Sequence, residues 1–113
     1  MINFRIDTSV VNGSCMLFPI GDVDAYTSKI LRDTILSHLN KGCGNLVVNF
    51  EHTGYIDSSG LAALIRGLKY SRDKEGRLII VARREEISRV FDITGLNRVF
   101  SVFDSVDLAM MPS

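Results

Sequence analysis

Tyr55-Ile56-Asp57-Ser58-Ser59-Gly60-Leu61 places a carboxylate and two hydroxyls side by side, just ahead of an apolar stripe. Leu61, Leu64, Ile65 and Leu68 recur at i, i+3, i+4 and i+7, the spacing of one face of an amphipathic helix. Asp57, Ser58 and Ser59 therefore stand at a helix N-terminus, where backbone N–H groups lack intrahelical partners and a side-chain oxygen is favoured as their acceptor. One of the three is the cap, with Asp57 the first choice. A second hydroxyl is then left over, facing solvent beside Gly60, a glycine that keeps the surface low. Such a hydroxyl is a good phosphate acceptor, because the helix dipole and the free N–H groups tolerate an added anion. On local chemistry alone, Ser58 is either a cap or a phosphate acceptor, and Ser59 a structural hydroxyl of the first turn.

Other chemistries fit less well. A nucleophile elbow requires G-x-S-x-G, and Ile56 stands where the first glycine would be. His38, set among Ile35 and Leu39, reads as a structural helix histidine. His52, in the Glu51-His52-Thr53-Gly54 loop, is nearer the serines, but its sequence position alone does not make it a base. No G-x-x-x-x-G-K-[ST] loop is present, so a P-loop nucleotide site is excluded. A receiver-type aspartate switch would want its acids soon after strand one, whereas Asp22 and Asp24 follow the second apolar run. Arg83-Arg84-Glu85-Glu86 reads as a solvated helix start. Cys15 and Cys43 show neither CxxC nor metal-ligand spacing and are expected as unpaired thiols. No metal, cofactor or enzymatic activity is expected.

Composition narrows the partners. The 113 residues suit a single domain, 1–113, with a core of its own. Thirteen basic and thirteen acidic residues give a formal charge of zero, so neither nucleic acid nor a membrane is expected as a partner. No apolar run approaches the ~20 residues of a membrane span, and Met1-Ile2-Asn3-Phe4-Arg5 lacks the regions of a signal peptide. A cytoplasmic location is expected.

The elements that must position Ser58 follow from periodicity and turn residues. Ile2, Phe4 and Ile6 alternate with polar residues as in a half-buried strand, and Asn12-Gly13 marks a hairpin returning through Ser14 to Phe18. Pro19 either ends that strand or lies where it runs along an edge. Asp24, after Gly21-Asp22-Val23, is expected to cap a helix from about Ala25 to Asn40, with Tyr26, Ile30, Leu31, Ile35 and Leu39 inward and Gly42 and Gly44 ending it. Leu46 to Phe50 and Leu78 to Ala82 read as buried strands. Gly76 breaks the helix before the second of them. Glu85 and Glu86 open a third helix with Ile87, Val90, Phe91 and Thr94 at core spacing and Gly95 as its stop. Val99 to Phe103 is a last strand, and Asp104 caps a short helix through Met110. The order β-β-α-β-α-β-α-β-α predicts an α/β fold: a mixed sheet, one hairpin plus parallel strands, packed with about four helices.

Three stretches, in this order and spacing, resemble a known family: Gly21-Asp22-Val23-Asp24, Ile56-Asp57-Ser58-Ser59-Gly60-Leu61 and Phe91-Asp92-Ile93-Thr94-Gly95-Leu96. They are similar to the STAS domain, and within it to single-domain bacterial anti-sigma factor antagonists, over nearly the whole chain. Two positions depart from the pattern, Ala62 where a second glycine would stand and Pro19 just before Gly21. The resemblance implies that Ser58, with Ser59 as second choice, is phosphorylated by an anti-sigma factor that is itself a serine kinase. It implies a partner-binding surface of Asp24, Asp57, Ser58, Ser59, Gly60 and Leu61. Unphosphorylated, such a protein binds the kinase and frees a sigma factor; phosphorylated, it lets go, and a PP2C-type phosphatase resets it. A monomer or weak dimer is expected. The alternative is an adaptor STAS module in a signalling assembly or a lipid-transport system.

Overall fold

Asn12 and Gly13 take φ of +50° and +81°, the left-handed pair that a two-residue reversal needs, and fold β1 (Arg5–Val11) back on β2 (Ser14–Ile20). The structure is a computed structural model describing residues 3–110, so Ile2, read as part of the first strand, lies outside the described residues. After the hairpin come α1 (Thr27–Asn40), β3 (Asn45–Asn49), α2 (Ser58–Asp73), β4 (Arg77–Val81), α3 (Glu85–Thr94), a 3-10 turn (Leu96–Arg98), β5 (Ser101–Phe103) and α4 (Val106–Ala109). The sheet follows chain order, β1-β2-β3-β4-β5, with β1 antiparallel to β2 and the remaining pairs parallel. The mixed α/β fold read from the sequence is therefore the observed one.

Strand alternation divides the core into two layers. Leu46, Val48 and Phe50 join Leu31 and Ile35 of α1 and Leu64 and Leu68 of α2. Val47 turns to the opposite face with Met16, Ile79, Val81 and Ala109 of α4. Each of these side chains other than Ala109 stabilises the fold by about 1.5–3 kcal/mol through its removal from water. Pro19 stays inside β2, opposite Ile6, but the ladder between β2 and β3 runs only from Cys15 to Leu17. Its missing N–H thus falls where β2 has no β3 partner.

Several local expectations are corrected. Tyr26 and Ile30, expected inward, are 74% and 48% exposed, while Thr27 and Ser28 turn in with Leu31, Ile35 and Leu39. The buried Thr27 hydroxyl donates to the Asp22 carbonyl at 2.6 Å, which fixes that face of the helix toward the protein. The left-handed residue ending α2 is Glu75 (φ +58°) rather than Gly76. Gly76 is needed for close approach instead, since a Cβ there would lie 2.8 Å from the Gly44 carbonyl oxygen. Leu96–Arg98 coils into the 3-10 turn, which shortens the last strand to Ser101–Phe103, and Ser105 rather than Asp104 caps α4 by accepting from the Leu108 N–H.

The cysteines are the largest departure: Cys15 and Cys43, expected as free thiols, form a disulfide across 28 residues, with Cα atoms 6.2 Å apart. Cys15 pairs in register with Leu46, and Cys43 lies three residues before Leu46, so strand pairing brings the two together. Local spacing carries no trace of that proximity.

Candidate functional site

Two loops lie side by side at one end of the molecule and start the two long helices. Residues 21–24 lead from β2 into α1, and residues 52–57 lead from β3 into α2. Backbone bonds zip them together: the Gly21 N–H donates to the His52 carbonyl (3.1 Å), Val23 to Tyr55 (2.9 Å) and Asp57 to Val23 (3.1 Å). Val23 and Ile56 form an isolated parallel bridge, so Asp24 and Asp57, the next residues, stand at the heads of neighbouring helices. Thr53, fully buried, ties the second loop to β2 by donating its hydroxyl to the Pro19 carbonyl at 2.9 Å.

Asp57 caps α2 directly, whereas Asp24, read as the cap of a helix from about Ala25, holds the turn two residues ahead of the α1 cap position, Tyr26, which carries no side-chain cap bond. Asp57 Oδ1 accepts from the N–H groups of Ser59 (2.9 Å) and Gly60 (3.2 Å), the bonding of an N-cap. Asp24 Oδ1 accepts from the N–H groups of Tyr26 (2.9 Å) and Thr27 (3.0 Å), with the Thr27 hydroxyl, whose proton goes to the Asp22 carbonyl, 3.2 Å away. The Thr27 N–H first, and then the Tyr26 N–H, hold the Asp24 carboxyl below its usual range, because they stabilise the charged form. The capping duty thus falls to Asp57, and Ser58, the first helical residue, presents an exposed side chain at the positive end of α2. Ser59 is half-buried and lines the groove between α1 and α2.

The other two residues read as partner-binding face inward. Gly60 is buried, and a Cβ on it would lie 2.5 Å from Ile56 Cγ1 and 2.7 Å from Val23 Cγ1. It allows α2 to sit on the Val23–Ile56 bridge rather than lowering an outer surface. Leu61 is 8% exposed and belongs to the main core. The side chains available at the surface are therefore those of Asp24, Asp57, Ser58 and Ser59.

Sequence reasoning missed what surrounds them. Tyr26 and Tyr55, 74% and 54% exposed, flank the zipped loops, and Lys29, Arg32 and Arg66 line the α1–α2 groove. The only signal for the cations was the i, i+3 spacing of Lys29 and Arg32, which does not reveal that Arg66 stands across from them. His38 hydrogen-bonds the Thr34 carbonyl through Nδ1 at 2.9 Å, a structural role. Among the described residues there is no group of three His, Cys, Asp or Glu able to hold a metal, and no helix long and apolar enough to cross a membrane.

The model of the STAS domain family matches residues 5–109. An anti-sigma-B factor antagonist of Staphylococcus epidermidis is 31% identical over 88 residues, covering 78% of this chain and 82% of that protein. An anti-sigma factor antagonist from Mycobacterium paratuberculosis has a similar fold, with a TM-score of 0.87 at 21% identity over 96% of this chain and 92% of that one. So has the Bacillus cell fate determinant SpoIIAA in its phosphorylated form, with a TM-score of 0.68 at 20% identity over 95% and 96%.

Proposed function

Because the chain belongs to the STAS domain family, we propose that it is an anti-sigma factor antagonist, a non-enzymatic binding module switched by phosphorylation of Ser58. The observation that carries this reading is the division of labour at the head of α2. Asp57 supplies the cap, so the exposed Ser58 hydroxyl can gain or lose a phosphate while the helix keeps its first-turn bonds. The Staphylococcus relative supports the partner class, and the phosphorylated Bacillus protein of the same fold supports the modification.

In this reading the unphosphorylated surface of Asp24, Asp57, Ser58 and Ser59, backed by Gly60 and Leu61, binds an anti-sigma factor that is also a serine kinase and so releases a sigma factor. The kinase modifies Ser58, a PP2C-type phosphatase reverses it, and both work in the cytoplasm. A phosphoserine adds about −1.5 to −2 charges beside two carboxylates, one of them, Asp24, held ionised by its hydrogen bonds. Each unit like-charge contact with a partner at ~4 Å costs from about 1 kcal/mol in water to about 4 at an effective dielectric of 20. Because ~1.4 kcal/mol is tenfold in affinity, one such contact weakens binding by about fivefold at the solvated limit and by several hundredfold at the lower dielectric, without a change of fold. The test is incubation with the cognate kinase and ATP, followed by peptide mass spectrometry. A single phosphate on Ser58 is expected; incorporation at neither Ser58 nor Ser59 removes the mechanism.

A further inference from the structure

We infer that the groove between α1 and α2 is a second docking site, built to take an acidic segment of a protein partner. The inference rests on the reading of the chain as a protein-binding module and adds docking chemistry which that reading leaves open. The two helices run parallel: Ala25 and Ser28 meet Ser59 at the N-terminal ends, and the Tyr70 hydroxyl bonds Asn40 Oδ1 at 3.1 Å near the C-terminal ends. Between them lies an open groove of about 760 Å³. At ~30 Å³ per water this holds on the order of 25 waters, room for several side chains rather than one inorganic ion.

The lining is one-signed. Lys29, Arg32 and Arg66 stand around the groove and none of its lining residues is acidic, in a chain whose thirteen cations and thirteen acids balance as a whole. Among the described residues, Lys29 and Arg66 take part in no ion pair. Arg32 meets only its neighbour Asp33, with both side chains open to solvent, a pairing of little strength. Arg66 lies 5.9 Å from the centroid of the Tyr70 ring, a contact that leaves its charge available. Three cations with at most weak partners set up a local positive potential that net neutrality conceals. Ala62 and Ala63 keep the groove clear, and Ser59 adds a hydroxyl at its mouth. That mouth adjoins the acidic heads of the helices, Asp24 and Asp57. The surface is thus polarised along α1 and α2, which would orient a partner carrying the opposite polarity.

The full chain is titrated into fluorescein-labelled hexaglutamate at low salt and binding is read by fluorescence anisotropy. Saturable binding is expected, at least tenfold weaker for the Arg32→Glu/Arg66→Glu double variant and unchanged for Lys69→Glu, whose side chain is exposed on α2 outside the groove. Amide shifts on peptide addition should centre on Lys29, Arg32, Ser59, Ala62 and Arg66. The Arg32→Gln/Arg66→Gln pair, with a melting curve for every variant, separates lost charge from lost fold. Absence of binding, equal weakening by Lys69→Glu, or indifference to the double substitution overturns the inference. So does an octathymidylate that binds as tightly at the same amides, since the groove would then take any polyanion. The peptide needs no kinase: binding without Ser58 phosphorylation would count against the phosphoswitch alone, and Ser58 phosphorylation without binding against the groove alone.

Discussion

Ser58 and Asp57 are adjacent residues with separate duties, and substitution distinguishes them. Asp57→Ala removes the acceptor for two N–H groups and should cost about 1 kcal/mol, lowering Tm by roughly 4 °C. Ser58→Asp should leave Tm within about 2 °C, yet weaken binding to the anti-sigma partner tenfold or more in a calorimetric titration. A large fall in Tm for Ser58→Asp would make the hydroxyl structural and sink the switch. Asp24 carries a pH signature. Its folded pKa is lowered, first by the Thr27 N–H, so its contribution to stability is full above the ordinary carboxylate value and is lost as pH falls through the lowered one. Asp24→Asn should flatten that part of the acid limb in melts taken from pH 5 to pH 2; an unaltered limb would contradict the assignment. At this scale the sequence made Asp57 legible as a cap, because its chemistry is local, but set Asp24 at a cap position that the structure gives to Tyr26, two residues on. It misjudged Gly60, because the need for a missing Cβ comes from Val23 and Ile56 packed beneath it.

The elements show how the site is held. The head of α2 rests on the Val23–Ile56 bridge, and both residues are β-branched, with little rotamer freedom to yield. Gly60→Ala should therefore destabilise by about 1–3 kcal/mol, read from urea unfolding. It should also disturb the amide signals of residues 21–24 and 54–58 together, because one ladder joins them; a neutral effect would mean the loops are not coupled. Helix α1 explains why a hydrophobic period read correctly can still be mis-phased. Tyr26 and Ile30 fit a helical stripe in one dimension, but the hydroxyl of Thr27 anchors the helix to the Asp22 carbonyl and rotates them to the surface.

For the whole molecule, the disulfide is the feature to test. It closes a 28-residue span containing α1, one of the two helices that bear the site. In the chain-entropy picture a loop of that length stabilises by about 3.5 kcal/mol. Urea unfolding with and without reductant, and of the Cys15→Ser/Cys43→Ser variant, should show a loss of that order; coincident midpoints would mean the bond contributes nothing. In a reducing compartment the same loss would be a standing condition, and the two-layered core would have to hold the fold alone. The sequence by itself determined the order of elements, the hairpin, the capped start of α2 and the position of Ser58, because these depend on contacts within a few residues. Only the tertiary structure decided the pairing of the cysteines, the outward turn of Tyr26 and Ile30, the burial of Gly60 and the basic groove. Each of these arises where segments distant in the chain pack together, and a linear pattern holds no distance between such segments.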